Sequence, residues 1–145
     1  MADFISASRS NYVHVTDEAL WDEWISRLSG IDDFSHVDED GTTVHGCGCY
    51  GSPWYREDDD IEDDAYGDDE GDIGCKASVR RIQAFLPEGE AFIYMEAGWE
   101  KLRYVAGYAL VVTKHDAKWV SVADAAVEAA QGMLGDPKWT TQMEY

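Results

Sequence analysis

Between residues 20 and 28, Leu20, Trp21, Trp24, Ile25 and Leu28 recur at helical spacing, which predicts an amphipathic helix with a single buried stripe. Thr16 or Asp17 caps it, Glu18 suits its positive N-terminal end, and Gly30 is a plausible stop. Asp22 and Glu23 fall towards the other side with Glu18. Ahead of the helix, "NYVHV" (11–15) alternates and is β-branched, and so predicts a strand. After it, "FSHVDEDGTTVHGCGCY" (34–50) predicts two strands joined by a turn at Asp38–Gly41.

The pattern becomes more apolar beyond residue 75. "KASVRRIQAFLP" (76–87) predicts a short helix with Val79, Ile82 and Leu86 inward and Pro87 ending it. "AFIYMEAG" (91–98) and "LRYVAGYALVVT" (102–113) predict long strands joined through Trp99–Lys101. The second run is apolar on both faces, as expected of a central strand covered on both sides or by a partner. "WVSV" leads into a last helix, with Ser121 and Asp124 resembling a capping box. Val122, Ala126, Ala129 and Met133 give that helix a narrow apolar face. The end, "GDPKWTTQMEY", is expected to be ordered only in part. Together these elements predict a single α+β domain over residues 1–145: a mainly antiparallel sheet of about five strands with two or three packed helices.

Composition adds an asymmetry that this pattern hides. The chain has 145 residues and a formal net charge of −19. Residues 1–56 contribute −7, residues 57–72 contribute −11, and residues 73–145 contribute −1. An acidic loop, 56–74, is thus inserted between an acidic N-terminal half and a charge-balanced C-terminal half. Such a balance excludes the clustered Lys and Arg of a nucleic-acid-binding surface and disfavours anionic membranes. A partner recruited by charge must be basic. Three Cys, an odd count with no signal-peptide pattern, point away from a secreted disulfide scaffold and towards a reduced, cytoplasmic protein. No stretch approaches the roughly 20 apolar residues of a membrane-spanning helix.

Candidate chemistry is sparse. His45, Cys47, Cys49 and Cys75 lie close in sequence, and a strand over 43–49 would put the first three on one face as metal ligands. Cys47-Gly-Cys49 is tighter than the usual zinc spacing, however, and cysteines are also good core residues. Calcium-loop placements fail at both ends: Gly71 at the sixth position puts Tyr66 first and Ala77 twelfth, and Gly41 puts His36 first and Cys47 twelfth. There is no Gly-rich phosphate loop, no G-x-S-x-G and no H-E-x-x-H. The expectation is a non-enzymatic protein with no cofactor.

That leaves the acidic run. Glu57, Asp58, Asp59, Asp60, Glu62, Asp63, Asp64, Asp68, Asp69, Glu70 and Asp72 stand with no Lys, Arg or His among them. A solvated segment is one reading. The other is that the carboxylates imitate a nucleic-acid backbone and gain the counterion-release term that phosphates supply in a basic groove. Trp54, Tyr55 and Tyr66 are then the anchors beside that groove. Asp17, Glu18, Asp22, Asp32, Asp33, Asp38, Glu39 and Asp40 could extend the charged face.

A small, acidic, Trp- and Tyr-rich α+β chain resembles the DNA-mimic inhibitors that phages and mobile elements carry against restriction or CRISPR systems. The resemblance is compositional and rests mainly on residues 17–72. "SNYVHVTDEALWDEW" and "GWEKLRYVAGYALVV" are also similar to short uncharacterised phage and plasmid proteins. The resemblance implies an inhibitor in the bacterial cytoplasm that occupies the basic nucleic-acid site of a defence protein, and binds no nucleic acid or membrane itself. An immunity or adaptor module and a divalent-metal-binding domain are the alternatives. A homodimer through an exposed strand edge is also open.

Overall fold

A computed structural model of the chain describes residues 5–28, 30–51, 53, 73–102 and 104–142, with the backbone alone for 73–77. Its elements run β1 (Ile5–Ser10), α1 (Glu18–Arg27), β2 (Asp32–Asp33), β3 (His36–Val37), β4 (Thr43–Val44), β5 (Cys47–Tyr50), α2 (Ile73–Phe85), β6 (Ala91–Glu100), β7 (Tyr104–Thr113), β8 (Ala117–Ser121) and α3 (Val122–Leu134). Six strands form one sheet in the order β2-β5-β1-β6-β7-β8, and β3 with β4 makes a small second sheet. Every pairing is antiparallel. The architecture is α+β in a single domain.

Two-residue alternation along the strands sorts the sheet into two faces. Register places Ser8 opposite Cys49, Ser10 opposite Tyr94, Tyr94 opposite Leu110, and Phe92 opposite Val112 on the inner face. Helices α1 and α2 cover this face. Trp21 and Trp24 of α1 and Ile82, Phe85 and Leu86, at the end of α2 and just beyond it, are buried against it. The aromatic rings meet edge-on: Trp21 lies 5.4 Å from Phe85, and Trp24 lies 5.9 Å from Phe92. The Thr16 N–H donates to Phe85 O (2.8 Å), while the Trp24 indole N–H donates to Ser78 Oγ (3.3 Å). These two contacts set the helices antiparallel, with the start of α2 beside the end of α1.

The first two predicted helices form with their expected stripes inward. Asp17 is the N-cap of α1 and accepts from the Ala19 N–H. α2 begins at Ile73, earlier than the pattern indicated, so the last two residues of the stretch 56–74 are helical.

The first strand is displaced from its predicted place. Residues 11–15 contribute a single bridge, Val13 to His45, and the strand that enters the sheet is "ISASRS". Small hydroxyl residues form this central strand because their polar atoms are satisfied inside. Ser8 Oγ donates to Gly51 O (2.6 Å) and hydrogen-bonds with the Tyr94 hydroxyl (2.9 Å). Ser10 Oγ accepts from the Cys47 N–H (2.9 Å). The Asn11 side chain then extends the β1–β6 ladder, accepting from the Ile93 N–H and donating to Ala91 O.

The turn at Asp38–Gly41 joins β3 and β4 as expected, but β5 leaves that hairpin for the main sheet. β6 and β7 pair over their full ten residues, from Ala91–Thr113 to Glu100–Tyr104. β7 is not covered on both sides. Leu110 and Val112 are buried inward, whereas Val105 on the opposite face is 72% exposed. Ser121 caps α3, accepting from the Asp124 N–H (3.0 Å). The apolar face expected for α3 points outward, and no residue of α3 is buried.

Candidate acidic interface

The carboxylates Glu57–Asp60, Glu62–Asp64, Asp68–Glu70 and Asp72, with Trp54, Tyr55 and Tyr66, lie outside the described residues. The structure fixes where that segment is attached. Upstream, Pro53 is fully buried and the Gly51 N–H donates to Ser6 O at 2.9 Å. Downstream, α2 starts at Ile73.

The acids that are described gather around the other end of α1. Residues 5–51 hold nine carboxylates and two arginines, and all nine carboxylates are exposed. Glu18 and Asp22 stand one turn apart on α1, about 6 Å between side chains. Asp33 joins them through the Trp21 indole N–H, which donates to its Oδ2 (3.3 Å). Ser35 donates to the same carboxylate from both backbone and hydroxyl, an Asx-turn that holds it outward. The ring of buried His45 links the two elements, with Nδ1 3.1 Å from Ser35 Oγ and Nε2 3.8 Å from Glu18. Asp38, Glu39 and Asp40 crown the adjoining hairpin. Hydrogen bonds from the Thr42 backbone and hydroxyl hold the Asp40 carboxyl below its ordinary range. Arg27 pairs with Glu23 at 2.9 Å. Arg9 projects from the outer face of the sheet, its guanidinium 5.5 Å from the Phe34 ring. The sequence did not single out His45 and Ser35 as the link between α1 and β2–β3; the Asp-Phe-Ser spacing of the Asx-turn was the available signal.

The metal-ligand candidates do not converge. Cys47 and Cys49 share the inner face of β5, buried among Ser8, Ser10 and Tyr94. His45 lies before the strand and turns its ring to Ser35, Glu18 and Trp21. Burial pushes the Cys47 thiol up to about 12, which keeps it protonated where a metal ligand must be a thiolate. The Cys75 side chain is outside the described residues. Among the described residues, no three His, Cys, Asp or Glu side chains are grouped to hold a metal ion.

No family model, curated protein or solved structure matches this chain. Its functional reading therefore rests on its own residues. Among the described residues, no helix is long and apolar enough to cross a membrane.

Proposed function

We propose that the chain is a non-enzymatic inhibitor that occupies the basic nucleic-acid site of a bacterial defence protein, a restriction or CRISPR effector, by presenting carboxylates in place of phosphates. What supports this reading is the cluster of exposed carboxylates around the start of α1 and the β3–β4 hairpin, in a chain whose residues 57–72 hold eleven acids and no base. The hairpin acids, Asp33, Glu18 and Asp22 gather at the first half of α1, and the end of α1 lies beside the start of α2, where the densest acidic sequence in the chain ends. The base on that helix, Arg27, is already paired. Such a surface offers a basic groove a row of fixed charges, with the counterion release that DNA would give. Trp54, Tyr55 and Tyr66 supply apolar anchors beside the charges.

The test is competition. Tagged protein is used to capture partners from bacterial lysate at low and high salt, with and without added duplex DNA. Displacement of a nuclease, methyltransferase or CRISPR effector by DNA supports the reading. A single partner that DNA cannot displace would make the chain an adaptor or immunity protein instead. Changing Asp58, Asp59, Asp60, Asp63 and Asp64 to Asn should weaken inhibition of the captured effector by about tenfold or more, about 1.4 kcal/mol, with the circular dichroism spectrum unchanged. Unaltered inhibition would sink the mimicry.

A further inference from the structure

Among the described residues, much of the outer face of the six-stranded sheet is exposed. Register puts Ile5, Met95, Trp99, Val105 and Val120 on this face, and each is exposed. Helix α3 continues this surface. Val122 sits at the join, its Cγ2 2.8 Å from where a Cβ on Gly107 would lie. From there Ala126, Ala129 and Met133 run outward along one side of the helix, with Met133 89% exposed.

We propose that this face is a homodimer interface, in which the outer sheet faces of two copies pack against each other with the α3 stripes at the rim. Its size fits. Strands β1, β6, β7 and β8, with six, ten, ten and five residues, make roughly 500 Å² at about 3.3 Å per residue and about 4.8 Å spacing. One side of α3 adds roughly 200 Å², which brings each copy near the ~800 Å² that a stable interface takes from one partner. Sheet faces of one shape also pack on themselves, since two right-twisted sheets stack with their strands at about −30°.

Charge favours a second copy here. The outer face bears one carboxylate, Asp32, and two bases, Arg9 and Lys118, in a chain of net charge −19. Arg9 and Asp32 line one depression of about 490 Å³ with Phe34, Tyr50 and Met95. Among the described residues neither makes an ion pair. The depression can receive a bulky side chain from the facing sheet of a second copy.

Sedimentation equilibrium of the full chain, across micromolar concentrations and at low and high salt, tests the proposal. A dimer is expected whose dissociation constant falls as salt rises, because screening relieves repulsion between two acidic chains while apolar packing persists. Salt would act in the opposite sense on a charge-driven complex. The double variant Met95→Glu, Val105→Glu should be monomeric, with association weakened about 100-fold or more. Both positions are exposed in the single chain, so its circular dichroism and tryptophan fluorescence should stay those of a folded protein. A wild-type chain that is monomeric at every salt concentration overturns the proposal and gives the face to a different protein. A dimer that survives both substitutions overturns it as well.

Discussion

Cys47 sits fully buried at the start of β5, its backbone N–H tied to Ser10 Oγ at 2.9 Å and its thiol in the core. Burial is the main cause of its raised pKa, about 12 against an ordinary 9.0, and the hydrogen bond with Ser10 opposes it. A raised pKa means that the folded chain holds this proton after the unfolded chain has lost it. The stability contributed is complete below pH 9 and is lost as pH climbs towards 12, by up to about 1.4 kcal/mol per pH unit. The Tyr94 phenol, raised chiefly by burial, adds a loss of the same sign at still higher pH. Urea midpoints at pH 8 and above pH 10 should therefore differ, and the decline should be shallower in Cys47→Ala. Iodoacetamide should leave Cys47 unmodified in the native protein at pH 8 and alkylate it in urea. Alkylation at equal rates in both states would contradict the burial.

Among the elements, α3 is held differently from α1 and α2. Thirteen residues with no buried side chain are marginal as a helix, so the Ser121 cap and the left-handed Gly135 that ends α3 bear much of the load. Ser121→Ala should cost the helix about 1 kcal/mol. Because no side chain of α3 is fully buried, the loss should appear as faster amide exchange within Val122–Leu134, with the global melting temperature nearly unchanged. A large drop in that temperature would mean that α3 is part of the cooperative core.

The same contrast decides what could be read from the sequence. α1, α2 and the β6–β7 hairpin were legible because branched and aromatic residues fall at the period of the element that buries them. β1 was not, since Ser8 and Ser10 each take a partner more than 35 residues away in sequence. The stripe on α3 was legible as a stripe, but periodicity gives a direction without saying what lies there. For the site, Glu18, Asp22, Asp33 and Asp38–Asp40 were legible by charge. Their assembly through His45 and Ser35 depends on contacts that no local pattern encodes.

At the scale of the whole molecule, charge and core are arranged independently. The net −19 stores repulsion in the compact state, and salt screens it over about 10 Å at 0.1 M. Melting temperature should accordingly rise with sodium chloride, by about 2–4 °C for each kcal/mol relieved. The rise should be smaller for the five-fold Asp→Asn variant, with both measured dilute enough to keep the chain monomeric. A flat salt response would mean that the carboxylates are already neutralised by bound cations.

The strand order also has a consequence for how the chain is made. β1 leaves the ribosome first, yet its partner β6 lies about 90 residues later, as the Ser6–Glu96 hydrogen bond shows. At about 5–20 residues per second, β1 waits roughly 5–18 s with an unpaired edge. Such an edge invites pairing with another nascent chain. The acidic sequence is translated within that interval, between β1 and β6, so neighbouring nascent chains on one polysome would repel each other while the edge is open. The density of carboxylates proposed to meet a basic groove would then have an earlier use, as a chaperone carried within the chain.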